Sequence, residues 1–273
     1  MANNRKRITE EEIRRLYYEE DLNFRQISEK VGYTAEHIRR LSKKYGLDRK
    51  SCVDVNFFKK DSPEFYYVLG LWSADGWVDG SGRIGIELAD KQVIDWLASA
   101  ISYKNSISVR KRGVNSNKTY SIRFQDETVR NVFKEYGISN KKKPEVAARD
   151  VPSEYFKDFV RGLFDGDGCA FMGKRHGRLD SYLYRFDISN KSKPFLSQVF
   201  ERMKLCVDLG GLRVVESKTP TGRPFYRLAT TRVGDIARIA EWLYEDSSSF
   251  CLTRKKDIMY KIHERDKFLR GVA

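Results

Sequence analysis

The sequence predicts an α+β fold of two pseudo-symmetric αββαββα half-domains sharing a two-helix interface, preceded by a small all-α domain. Three observations predict it. A stretch near residue 70, "YYVLGLWSADGWV", is echoed by "DFVRGLFDGDGCAF", and their terminal acids, Asp75 and Asp167, lie 92 positions apart (167 minus 75). Each echo is followed by the same order of helical and alternating segments. The first fifty residues instead carry helix caps and helical spacing throughout.

In that first segment Thr9 with Glu12 forms a capping box opening "EEEIRRLYYEE". "NFRQISEKVG" is a second short helix ended by Gly32, and Thr34 caps "AEHIRRLSKKYG", ended by Gly46. Two short helices separated by "VGYT", with Ile27, Val31, Ile38 and Leu41 spaced to pack between them, resemble a helix-turn-helix. The resemblance implies a second helix in the major groove, with Arg39, Arg40 and Lys43 nearest DNA; the alternative is a plain three-helix packing module.

The division is 1–50 as the helix-turn-helix domain, 51–61 as linker, 62–140 as the first half-domain, 141–152 as a second linker and 153–273 as the second half-domain. Ser62-Pro63 opens the first half-domain, an N-cap followed by the residue best tolerated at the first helical position. After the acidic helix end come "GWVDG" and "RIGIELADK", then the helix "QVIDWLASAI", the strands "SISVRKR" and "TYSIRF", and the helix "ETVRNVFKEYG". The second copy runs "CAFMG", "YLYRFDISNK", "PFLSQVFERM", "GLRVVES", "PFYRLAT" and "VGDIARIAEWLY". Only two copies at a long period describe a pseudo-dimer, and not a solenoid.

Lys and Arg number 52 against 38 acidic residues, a formal net charge of +14, which favours a polyanionic partner. The four cysteines, Cys52, Cys169, Cys206 and Cys251, have neither CxxC spacing nor partnering histidines, so neither zinc nor a disulfide framework is expected. The start lacks a signal-peptide core and no run approaches membrane-spanning length, so a soluble, cytoplasmic protein is expected. No Gly-rich phosphate loop is present, which argues against nucleotide hydrolysis.

Gly70 and Ala74 are four apart, as are Gly162 and Gly166, so each helix presents small residues on one face. Two such faces allow close approach, which brings Asp75 and Asp167 together at negative helix ends. Their repulsion should raise at least one pKa, and divalent cations would remove the conflict. One or two carboxylates completed by water and phosphate oxygens suit Mg²⁺, or another divalent cation such as Mn²⁺. Asp79 in "DGSG" reads as a hairpin turn, and Asp165 as a local cap or pair.

"VLGLWSADG" and "VRGLFDGDG" resemble the paired signature of the LAGLIDADG homing endonucleases in their single-chain, two-motif form. Gly162, Leu163, Asp165, Asp167 and Gly168 match the pattern; Ser73 and Trp72 depart from it in the first copy. The resemblance implies metal at Asp75 and Asp167, one aspartate for each strand, and so double-strand cleavage by an enzyme of an intron or mobile element. By position it also implies supporting roles for Asp90 and Asn190 and charge-stabilising roles for Lys142 and Lys255. It further implies a monomer that binds a long, specific double-stranded DNA target.

The strands supply a reading surface. Arg110, Arg112, Arg123 and Gln125 share the face opposite Ile107, Val109, Tyr120, Ile122 and Phe124, and Arg185, Arg223 and Arg227 are their counterparts in the second copy. Arginine to guanine, Gln to adenine and carboxylate to cytosine is the chemistry such a face offers; the alternative is a solvated antiparallel sheet. Lys174 and Arg175 open a phosphate-contacting loop. The leading reading is a metal-dependent, sequence-specific endonuclease. Its alternatives are a catalytically silent regulator with a helix-turn-helix, and an RNA maturase.

Overall fold

Several helices of this chain start at a short polar side chain that caps them. The computed structural model describes residues 8–47, 50–111, 117–138, 148–174, 182–245 and 250–271. It divides into two compact units, Met1–Lys50 and Ser51–Ala273.

In the first unit the Thr9 side chain accepts from the Glu12 N–H and opens α1 (Glu10–Arg14), which runs into a π-helical turn, Arg15–Glu19. Asn23 and Gln26 form a reciprocal capping box at α2 (Phe24–Val31), ended by Gly32 at φ 72°, a left-handed position suited to glycine. Thr34 caps α3 (Ala35–Lys44). Ile13, Leu16, Ile27 and Ile38 are buried together, so the three helices close on a core of their own.

The second unit begins with segment 51–61, expected as a linker. That expectation is corrected: Val53 and Phe58 are buried in the unit's core, and Asp54 N–H donates to Ile101 O at 2.7 Å. Apolar residues this close to a domain start are taken up by the core when they can reach it. Beyond it lie α4 (Pro63–Asp75), β1 (Gly76–Val78), β2 (Ile84–Leu88), α5 (Lys91–Ala100), β3 (Ser108–Lys111), β4 (Lys118–Phe124) and α6 (Glu127–Glu135). The second copy has α7 (Phe156–Asp167), β5 (Gly168–Lys174), β6 (Tyr182–Asn190), α8 (Lys193–Cys206), β7 (Arg213–Lys218), β8 (Pro224–Thr230) and α9 (Val233–Tyr244). Of the second linker, 141–147 lies outside the described residues, while Ala148 and Val151 are buried and Val151 O accepts from Arg202 at 2.7 Å.

The sheets are antiparallel and equivalent, in orders β1-β2-β4-β3 and β5-β6-β8-β7. Gly76 faces Ile86 in one and Gly168 faces Ile188 in the other, so the motif acids enter their sheets at matching register. The hairpins differ in reach: β1 and β2 pair over Gly76–Val78, β5 and β6 over Gly168–Lys174. The apolar alternation is as expected at Ile84, Ile86, Phe186 and Ile188, all buried. It fails at Val109, which is 59% exposed because β3 is an edge strand.

An eighteen-residue helix, α10 (Thr253–Arg270), follows and was not expected. Its sequence is rich in charge, and only Lys255, Met259 and Ile262 are buried, too sparse an apolar stripe to stand out. It packs on α9 and β5. Among the described residues no helix is long and apolar enough to cross a membrane.

Candidate active site and nucleic-acid interface

Small residues set the distance between α4 and α7. A Cβ on Gly70 would stand 2.1 Å from Phe159 O, and one on Gly162 2.0 Å from Tyr67 O, so each glycine lies against the backbone of the other helix. At the last turn a Cβ on Gly166 would meet Ala74 Cβ at 2.4 Å and Asp75 Oδ2 at 3.3 Å. The expected stripe therefore operates as a seam and delivers Asp75 and Asp167 side by side, half-buried.

The departures of the first motif have packing reasons. Trp72 is fully buried and packs against Phe124 and Phe133, ring centres 6.3 and 5.2 Å away. Ser73 is buried and its hydroxyl donates to Leu69 O at 2.6 Å, satisfied within its own helix. Its counterpart Asp165 does more than pair locally: its Oδ2 accepts from Tyr67 Oη on α4 at 2.8 Å and from Leu252 N–H at 2.7 Å.

The electrostatics follow from two acids at two negative helix ends. Burial pushes the Asp167 carboxyl up to about 7, with the neighbouring Asp75 raising it further and Lys255 and Lys191 pulling it back. Burial also raises Asp75, opposed by Lys255. Burial pushes Asp165 up to about 6, against the Leu252 N–H and the Tyr67 hydroxyl, whose hydrogen bonds pull it back down. The expectation that at least one of the paired acids would be raised is met.

Lys255 is the compensating charge. It is buried, and Nζ donates to Phe164 O at 2.7 Å, Asp165 O at 2.8 Å and Gly166 O at 3.3 Å, carbonyls of the last turn of α7, of which Phe164 O also takes the Gly168 N–H. Burial lowers its pKa, countered first by Asp165. Lys142, its expected equivalent, lies outside the described residues.

Asn190 and Lys191 line a cleft of about 470 Å³ with Asp167, Ser73 and Gly76. Asn190 Oδ1 accepts from Ser192 N–H at 2.9 Å. Asp90 is held differently: its two oxygens take Arg254 Nε and Nη2 at 2.9 and 2.6 Å, a bidentate pair that lowers its pKa. Asp79 closes the β1–β2 hairpin, accepting from the Ser81 and Arg83 N–H groups. Tyr67, Arg254 and the role of Asp165 were missed. The one signal for the last was the Asp-for-Ser difference between the motifs.

A divalent ion fits this donor set. Two raised carboxylates meet at a point where their mutual repulsion is uncompensated beyond Lys255 and Lys191. Among the described residues no three His, Cys, Asp or Glu side chains converge to hold a metal alone, so remaining ligands would come from backbone, water or phosphate.

The sheet faces turned away from the helices carry the expected basic residues. Arg110 and Arg223 are exposed; Lys174 is exposed too, but its pairing with Tyr182 puts it on the opposite face of its sheet. Arg123 lies 3.5 Å from Glu87 and over the Trp77 ring, and Gln125 Nε2 donates to Ser81 O at 3.1 Å. Arg227 Nε donates to Ser217 Oγ at 3.0 Å. Arg185 is anchored, with Nε 3.0 Å from Asp187 and Nη2 donating to Cys169 Sγ. Arg112 and Arg175 lie outside the described residues. In the first unit Arg39, Arg40 and Lys43 are exposed on α3, with Arg40 3.1 Å from His37 Nδ1.

A duplicated αββαββα unit whose paired first helices end in facing acids defines the LAGLIDADG class of fold. Within that class the chain is similar to I-LtrWI, a LAGLIDADG homing endonuclease solved bound to target DNA. The TM-score is 0.51 at 12% identity, over 78% of this chain and 92% of that one. It also matches the meganuclease I-AabMI bound to uncleaved DNA (TM-score 0.48, 12% identity, 76% and 92% of the chains). A third match is full-length DUF199/WhiA from Thermatoga maritima (0.47, 14%, 80% and 69%). No protein-family profile and no curated sequence matches.

Proposed function

We propose that the chain is a sequence-specific DNA endonuclease that cuts both strands of a long target, with Asp75 and Asp167 as the residues that hold divalent metal. The observation that carries this reading is the meeting of the two carboxylates, both raised, at the seam of α4 and α7. Mg²⁺ or Mn²⁺ held there would polarise a scissile phosphate, lower the pKa of an attacking water and stabilise the leaving oxygen.

The protein's own groups perform the rest. Lys255 neutralises the α7 terminus and adds positive charge beside the phosphate, the charge-stabilising role that the family resemblance also implies for Lys142. Asn190 orients polar groups in the cleft beside Asp167. Asp90 acts through Arg254, which precedes Lys255 at the start of α10. The open sheet faces contact the duplex through Arg110, Arg123, Gln125, Arg185, Arg223 and Arg227, with Arg112, Lys174 and Arg175 expected to add phosphate contacts. Arg39, Arg40 and Lys43 of the N-terminal helices extend the contact. Two half-sites in one chain make a monomer sufficient.

The test is incubation with a randomised duplex library and Mg²⁺. Recovered double-strand cuts that vanish in Asp75→Asn/Asp167→Asn, with duplex binding retained, support the proposal. Specific binding without Mg²⁺-dependent nicking would assign the chain to regulators, and preferential RNA affinity to maturases.

A further inference from the structure

The β5–β6 ladder is longer than its β1–β2 counterpart, and the extra length carries apolar side chains on its open face. Phe171 and Leu183 are 45% and 46% exposed. In the register Phe171 faces Arg185 and Gly173 faces Leu183, so all four share one sheet face. The other face is the one that packs: Met172 and Tyr182 line a groove with Tyr260 and Phe268 of α10. The Phe171 ring lies flat along its own strand, because Gly173 leaves room for it; a Cβ there would stand 2.6 Å from Phe171 Cζ. The Arg185 guanidinium sits 5.9 Å above the same ring and is tied to Asp187 and Cys169. The result is a pre-set apolar plate whose nearest cation is already occupied.

On the reading that this face lies on duplex DNA, we propose that Phe171 and Leu183 read the C5-methyl group of a pyrimidine, thymine in an unmodified duplex. In the major groove that methyl is the apolar group base edges present, and an apolar plate has no hydrogen bond with which to read anything else. The basic surroundings match the phosphate backbone. Gly168 follows Asp167 directly, so Phe171 and Gly173 lie four and six residues beyond it. At about 3.4 Å per residue and per base pair, the methyl sits roughly four to six base pairs outward from the scissile position served by Asp167. The first half-domain differs: its hairpin pairing stops at Val78, and the aromatic on its open face, Trp77, is half-buried and lies only two residues beyond Asp75. The two half-sites are therefore read unequally.

The test uses a duplex selected by the wild-type chain from a randomised library, with equilibrium binding read by anisotropy. Replacing the thymine in that window by deoxyuridine removes only the methyl and should weaken binding about fourfold, the worth of one buried methyl group. Cytosine should weaken it and 5-methylcytosine restore most of the loss. In Phe171→Ser/Leu183→Ser the deoxyuridine effect should vanish; single Leu183→Ser is the fallback should the double variant fail to fold. A window in which deoxyuridine costs nothing, or a cost unchanged in the variants, overturns the inference while leaving DNA binding standing. Failure of the library to yield any selected duplex overturns both.

Discussion

Replacing Gly162 by alanine sets two physical effects against each other. An alanine inside a helix is about 1 kcal/mol better than glycine by propensity alone, so an isolated α7 would gain. In the folded chain the new Cβ would stand 2.0 Å from Tyr67 O and 3.0 Å from Leu71 N, and the obstacle is backbone. The helices must separate by more than about 1 Å to restore ordinary contact, opening the seam along Gly70, Ala74 and Gly166. Overpacking costs roughly 1–3 kcal/mol where side chains can yield, so a net loss of about 3 kcal/mol is expected where they cannot. For a unit of this size that lowers Tm by roughly 6–12 °C. Gly80→Ala, where nothing lies within 4 Å of the new Cβ, is the control and should change Tm little. Calorimetry of the two variants decides: a Gly162→Ala protein as stable as wild type would refute close backbone approach as what positions the acids.

Three further outcomes follow from the same geometry. Without metal, a folded-state Asp167 raised to about 7 binds its proton more tightly than the unfolded chain does. Stability should therefore fall as pH rises from about 4 to 7, by at most roughly 4 kcal/mol at about 1.4 kcal/mol per unit, and Asp167→Asn should flatten that profile in urea titrations containing EDTA. Lys255→Met removes the Nζ donor shared by three carbonyls at the end of α7 and should cost about 2–4 kcal/mol by thermal melting, with cleavage lost and duplex binding largely kept. Duplex affinity should fall about a thousandfold or more between 50 and 200 mM salt, as expected for some six or more phosphate contacts; a flat salt titration would remove the sheets and α3 as the binding surface.

What the sequence discloses and what it hides divide along physical lines. Period-two and helical spacing, caps and the Gly-xxx-Ala and Gly-xxx-Gly stripes are local signals, and they predicted both sheets and the α4–α7 seam. Asp75 and Asp167 were legible because the motif occurs twice. Contacts made by residues remote in sequence were not. Asp165 bonds Tyr67 and Leu252, and Asp90 bonds Arg254, partners 98, 87 and 164 positions away. Nothing in the local pattern marks such pairs. The helix α10 escaped because its apolar stripe is sparse, although it carries Lys255. The segment 51–61 looked polar enough for a linker because its buried anchors, Val53 and Phe58, fall in a short stretch with no helical or strand period, bounded by Asp48, Arg49 and Lys50 before it and Lys59, Lys60 and Asp61 at its end.

The central claim is that Asp75 and Asp167 together hold divalent cations on a bound duplex. Anomalous diffraction from crystals of the full chain with a selected duplex and Mn²⁺ tests it most directly. The account predicts Mn²⁺ peaks in direct contact with both carboxylates and with phosphate oxygens at the α4–α7 seam. Peaks elsewhere, or a seam holding the duplex without metal at either aspartate, would contradict it.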